Sequence, residues 1–138
     1  MNVNIQGAPI YFVIPIFGGI PISATKVLRR LDHMPADELY KKVKEWSGKK
    51  QELPDIFSLM NLWFRDILVM KSTDGKGRLV FREEETELIR QAEVISYYEL
   101  DDCLEAIETM KQRMNANVNL EVSLELLLYT MKESLKQK

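Results

Sequence analysis

The stretch that decides the fold is NANVNLEVSLELLLYTMKESL, residues 115–135. Three asparagines at alternate positions come first, and asparagine favours turns and caps because its side chain competes locally for backbone hydrogen bonds. Apolar residues then recur on one helical face, at Leu120, Leu124, Leu127, Leu128, Met131 and Leu135. The sequence therefore predicts a sharp break, with Asn117 ordering the loop and Asn119 capping a helix that packs in the core.

Upstream of this break, the chain from Ala24 onward shows the same helical period. Five further helices are predicted: one ending near Asp32, one from Pro35 to Gly48, one from Pro54 to Lys71, one around Leu88–Ile95, and one capped by Ser96 and continuing to Met114. Glu99 completes a capping box with Ser96. No glycine-rich phosphate loop and no strand–helix alternation occur, which argues against an α/β nucleotide fold. The predicted fold is all-α, a single bundle of about five to six helices.

Residues 1–22 differ from the rest of the chain. No charged residue precedes Lys26, and the apolar run YFVIPIFGGIPI is interrupted by prolines. A secretory signal needs a positive first region, and a membrane-spanning helix needs about 20 apolar residues in a row. We therefore predict an irregular apolar segment over 1–22, either a packed arm with a short strand or a truncation boundary without native role. The helical domain is expected over 23–138.

Composition limits the function classes. The chain has 138 residues, 46% hydrophobic and 29% charged, with a formal net charge of −2, as expected for one ordinary domain. Its single cysteine and single histidine argue against a disulfide, a zinc cluster and a histidine-dependent triad. We expect no enzyme activity, no cofactor, no metal and no membrane partner, and a cytoplasmic location.

Two charged neighbours, Arg65 and Asp66, lie inside the most apolar predicted helix. Adjacent helix positions point about 100° apart, so each side chain is expected to meet a different neighbour. Either the pair forms an ordinary charged rim, or the guanidinium meets a carboxylate or a helix C-terminus across a helix–helix seam.

Glu121 and Glu125 stand one turn apart on the last helix, a spacing known from carboxylate metal sites. No histidine follows a glutamate at i+3 in this chain, so a solvated or interface face is favoured. Polar groups at a packed seam can fix its register. The candidate interface or structural residues are Arg65, Asp66, Asn117, Asn119 and Glu125.

A cluster of lysines between Lys41 and Lys50 surrounds Trp46. This cluster could face phosphate groups, although a solvated helix face is favoured. Trp46, Trp63, Tyr97 and Tyr98 could serve as base-stacking platforms, but they are not interleaved with a basic run. The sequence does not predict direct binding of DNA.

Three stretches together resemble the C-terminal part of the delta-prime subunit of the bacterial DNA polymerase III clamp loader. They are KKVKEWSGKKQELPDIFSLMNLWFRDILVMK (41–71), DGKGRLVF (74–81) and NANVNLEVSLELLLYTM (115–131). That family shows W/L-x-R-D-x-L in a long helix, then N-x-N-x-x-L near the last helix, followed by L-E-L-L. The matching residues here are Trp63, Arg65, Asp66, Leu68, Asn117, Asn119, Val122, Leu124, Glu125, Leu126 and Leu127, with Val122 in place of the motif's first leucine.

The resemblance implies a non-catalytic helical collar domain that assembles with the gamma/tau and delta subunits. Such a domain supports loading of the sliding clamp in DNA replication and touches DNA only indirectly. The family's N-terminal zinc-binding cysteines, Walker-like loop and Ser-Arg-Cys motif do not occur in this sequence, so the chain resembles a C-terminal fragment. Residues 1–21 depart from the family pattern.

Two alternatives come from other function classes. The first is a stand-alone α-helical adaptor or regulator without a link to replication. The second is an enzyme with a carboxylate-rich site, which the shortage of ligand residues disfavours.

Overall fold

A computed structural model describes residues 20–116 and 119–138, with side chains from Ser23 onward. All regular structure in that part of the chain is helical. The described residues form six α-helices, which are α1 Ile20–Arg29, α2 Ala36–Ser47, α3 Leu53–Ser72, α4 Glu85–Val94, α5 Tyr97–Arg113 and α6 Leu120–Leu135. Short 3-10 turns occur at Leu31–His33, Lys50–Glu52 and Arg82–Glu84. The predicted all-α bundle is confirmed, whereas the arm or strand predicted before residue 20 lies outside the described residues.

The first helix begins earlier than the sequence predicts. α1 starts at Ile20, three residues before residue 23, where the helical domain is predicted to begin. Pro21 lies in the first turn, where the N–H that it lacks would have no partner within the helix. A proline in the first turn is compatible with a helix start, and it does not mark the end of an irregular segment.

Helix α3 is the centre of the fold. It packs against α1, α4 and α5, while α6 covers α5 and α2. Because α3 has neighbours on several sides, its buried positions extend around most of the helix: Leu53, Ile56, Phe57, Leu59, Met60, Trp63, Phe64, Asp66, Ile67 and Met70. The link after α3 returns to this core, and the Phe81 ring centre lies 5.6 Å from that of Trp63.

A buried amide joins three helices. Gln91 of α4 is fully buried. Its Oε1 accepts a hydrogen bond from Trp63 Nε1 at 2.9 Å, and its Nε2 donates to the Leu28 carbonyl at 2.9 Å. Each polar atom of the amide is thereby satisfied, which removes most of the cost of burying it.

Two arginine–carboxylate pairs link the same part of the fold nearer to the surface. Arg90 donates to both carboxylate oxygens of Asp32 at 3.0 and 3.1 Å, and Arg29 binds Glu84 through two hydrogen bonds at 2.7 and 2.6 Å. Burial alone raises the pKa of Asp32, but the hydrogen bonds and charge of Arg90 outweigh it and lower that pKa. Two bidentate arginine–carboxylate pairs therefore join α1 and the 3-10 turn after it to α4 and the 3-10 turn before it.

Both predicted N-caps are confirmed. The Ser96 hydroxyl accepts from the Glu99 N–H, and the Glu99 carboxylate accepts from the Ser96 N–H, each at 3.0 Å. Asn119 Oδ1 accepts from the Val122 N–H at 3.1 Å. Both caps depend on residues close in sequence, which explains why sequence alone predicted them.

We expect Asn119→Ala to lower stability by about 1 kcal/mol, because one N–H at the start of α6 loses its acceptor. Leu127→Ala should cost more, toward the lower end of about 2–5 kcal/mol, because Leu127 is buried at the edge of the core. Thermal unfolding of both variants and the parent chain measures the order. Equal costs, or the reverse order, would mean that α6 is not a core helix.

Candidate protein-interaction surface

The structure places Asp66 inside the chain's own core. Its side chain is 1% exposed, and its two carboxylate oxygens accept from the backbone N–H groups of Val80 at 3.0 Å and Phe81 at 2.8 Å. Asp66 thus fixes the link that follows α3. Of the two roles predicted for it, the structural one is observed, and its engaged carboxylate cannot serve as an interface contact.

The other four candidate residues are not buried in the core as Asp66 is, or lie outside the described residues. Arg65 and Glu125 are exposed, and Asn119 is exposed while its Oδ1 caps α6. Arg65 and Asp66 therefore have different surroundings, as the angle between adjacent helix positions predicts. Asn117 lies outside the described residues.

Helix α6 carries a second apolar stripe that faces solvent. The predicted stripe is confirmed as core, with Leu124, Leu127, Leu128, Met131 and Leu135 buried. On the opposite side, Val122, Leu126 and Tyr129 are 49%, 56% and 55% exposed. Their i, i+4, i+7 spacing puts them on one face. We call these three residues the outer stripe.

A groove of about 310 Å³ lies beside the outer stripe, between α5 and α6. Its α5 wall is Asp102, Glu105, Ala106, Thr109, Met110 and Arg113, and its α6 wall is Ser123, Leu126, Leu127 and Thr130. Leu126 belongs to both the groove and the outer stripe. Groove and stripe therefore form one continuous surface, with apolar side chains in its middle.

The aromatic residues proposed for base stacking are not arranged as a platform. Trp46 and Trp63 are buried, so neither indole face can receive a base. Tyr97 and Tyr98 are exposed, and Lys71 Nζ lies 5.0 Å from the ring centre of Tyr97.

The positive charge of the lysine cluster at residues 41–50 is partly neutralised by a glutamate of α2. Glu45 pairs with Lys42 at 3.1 Å and with Lys49 at 3.6 Å. Lys44 Nζ lies 5.6 Å from the ring centre of Tyr40. These contacts favour the solvated helix face over a phosphate-binding surface.

No constellation for metal chemistry occurs within the described residues, where His, Cys, Asp and Glu form no group of three that could hold an ion. Cys103 is buried, and burial raises the pKa of its thiol to about 11. The thiol is therefore protonated at neutral pH and is a poor nucleophile. In the part of the chain that the structure describes, no helix has the length and apolar character needed to cross a membrane.

The outer stripe is not among the predicted sites, although the spacing of its apolar residues indicates it. Val122, Leu126 and Tyr129 recur at helical spacing, as the core leucines do, so α6 is apolar on two sides. A helix apolar on two sides indicates burial on both. Gln91 gave no signal, because a lone glutamine in a helix is usually solvent-exposed.

Comparison of the chain with protein-family models, with curated proteins and with solved structures gives no match. The likeness to the clamp-loader subunit therefore depends on the residues named above.

Proposed function

We propose that this chain is a non-catalytic assembly domain, which binds other protein subunits through the outer stripe of α6. The observation that carries the proposal is the exposure of Val122, Leu126 and Tyr129 on one helical face. Single exposed apolar residues are ordinary on protein surfaces. Three large apolar residues on one helical face beside a groove are characteristic of an interaction site.

The specific form that we propose is the collar domain of a bacterial clamp-loader delta-prime subunit, acting in the cytoplasm. Its partners would be the gamma/tau and delta subunits, and its contact with DNA would be indirect. The resemblance of residues 41–81 and 115–131 supports this form. Two residues of the first motif, Trp63 and Asp66, hold the chain's own core together, as expected if that motif specifies the domain fold.

Leu126→Asp is expected to weaken partner binding at least tenfold, about 1.4 kcal/mol or more, because it puts a charge at the centre of the apolar contact. Its effect on folding should stay at about 1 kcal/mol, since Leu126 is 56% exposed and aspartate is a poorer helix former than leucine. The measurement is capture of the tagged full chain from the source organism, with mass spectrometry of the co-purifying proteins and thermal unfolding in parallel.

Tyr97→Asp is the matched control, because it removes an exposed ring from a different side of α5 and should leave capture unchanged. Co-purification of clamp-loader ATPase subunits, lost in Leu126→Asp, supports the collar form. Stoichiometric capture of other proteins through the same stripe would favour the adaptor alternative. Capture that does not respond to Leu126→Asp would overturn the assembly role of α6. Arg65→Glu and Glu125→Lys test the other exposed candidates in the same assay.

A further inference from the structure

The shape of the surface between α5 and α6 selects the kind of segment that fits it. From Asp102 to Arg113 the groove wall covers three turns of α5, about 16 Å at 1.5 Å per residue. No strand edge exists in the described ranges 20–116 and 119–138, so a partner cannot add a strand there. A groove between two helices with apolar side chains in its middle fits a third helix.

The charges around the groove are one-sided. Asp102 and Glu105 stand on the α5 wall, and Glu125 adjoins the outer stripe on α6. None of these three carboxylates forms an ion pair with a described residue, whereas the neighbouring Glu108 and Glu133 pair with Lys111 and Lys136. Among the described residues that line the groove, Arg113 is the one with a positive charge. Three carboxylates outnumber this one guanidinium, so the net charge that the surface offers to a partner is negative.

We propose that this groove binds an amphipathic helix of a partner protein, with an apolar stripe flanked by lysine or arginine. The partner's apolar side chains would cover Val122, Leu126 and Tyr129, and its basic flank would meet Asp102, Glu105 and Glu125. Complementary charges of this kind steer association and suppress wrong partners. This inference rests on the proposed assembly function and adds the chemistry of the partner.

The test uses two designed helical peptides that share one leucine stripe and differ only in their flanks, lysine in one and glutamate in the other. Each peptide is titrated into the full chain by fluorescence anisotropy. We expect the lysine peptide to bind at least about tenfold more tightly, with the preference shrinking as salt is raised. Glu105→Lys combined with Glu125→Lys should abolish or reverse the preference, because two of the three carboxylates become positive, and Leu126→Asp should weaken both peptides. Glu83→Lys, an exposed charge reversal before α4, is the control. It should change neither the affinity of the two peptides nor the preference between them.

Equal binding of both peptides, or a preference that survives the double charge reversal, would overturn the inference. Self-association of the chain in sedimentation experiments, lost in Leu126→Asp, would also overturn it, because a second copy would then be the occupant. These failures leave the proposed function standing if capture of partners still depends on Leu126. Loss of that dependence, in contrast, would count against the assembly role itself.

Discussion

Trp63→Ala is expected to cost the domain about 3–5 kcal/mol from lost burial alone. Trp63 is fully buried in α3, beside the ring of Phe81. Its removal also leaves Gln91 Oε1 without its donor, at a further cost of about 1–3 kcal/mol. Domains are stable by about 5–15 kcal/mol, so this variant should be close to unfolding at 25 °C. Urea unfolding followed by circular dichroism measures the loss.

Trp63→Phe separates the two contributions, since phenylalanine keeps an aromatic ring in the core but has no N–H to donate. Trp63→Phe should lower the free energy of unfolding clearly less than Trp63→Ala does. Most of its cost should come from Gln91 Oε1, which loses its hydrogen-bond donor. Removing the amide as well, in Trp63→Phe with Gln91→Leu, relieves the unpaired Oε1 but leaves the Leu28 carbonyl without its donor. The double variant should therefore recover only the part of the loss that comes from Oε1. A cost below about 1 kcal/mol for Trp63→Ala would contradict the central position of this side chain.

Asp66→Ala is the second large effect that we expect, about 2–4 kcal/mol. Two backbone N–H groups lose their acceptors, that of Phe81 buried and that of Val80 partly buried, and an unpaired buried donor costs about 1–3 kcal/mol. Part of the loss is offset because no carboxylate is buried any longer. Asp66→Asn keeps one acceptor oxygen and should fall between alanine and the parent chain. Chemical unfolding at one fixed pH gives the order, and alanine equal to the parent would show that the link is held without Asp66.

The same residue should give stability a measurable pH dependence. Burial raises the pKa of the Asp66 carboxyl, although the N–H groups of Phe81 and Val80 and the charge of Arg65 act in the opposite direction. The folded state then binds this proton more tightly than the unfolded chain does. The free energy of unfolding of the parent chain therefore exceeds that of Asp66→Asn most at pH values below the usual aspartate pKa. The difference decreases as pH rises through the raised pKa that Asp66 has in the folded state. A growing advantage toward neutral pH would mean that the N–H donors dominate.

Local patterns were enough to predict most of the fold. The caps at Ser96 and Asn119 each depend on a residue three positions away, and the buried face of α6 follows from its leucine period. α1 begins earlier than the sequence predicts, because prolines and missing charges are typical of irregular structure, whereas a proline is also tolerated in the first turn of a helix. The partners of Asp66 lie 14 and 15 residues later in the chain, so its role could be suspected but its donors could not be named. Gln91 depends on atoms 28 and 63 residues away, which no local pattern reveals.

The amide of Gln91 has a consequence for how the domain unfolds. Short helices such as α1 and α4 are marginal on their own in water, and here each is tied to the other and to α3 through one buried side chain. Moving any one of the three helices away breaks at least one of the hydrogen bonds that Gln91 makes and leaves a buried polar group without its partner in a helix that stays in place. Partial unfolding of this half of the bundle is therefore disfavoured relative to complete unfolding, and the transition should be cooperative and all-or-none.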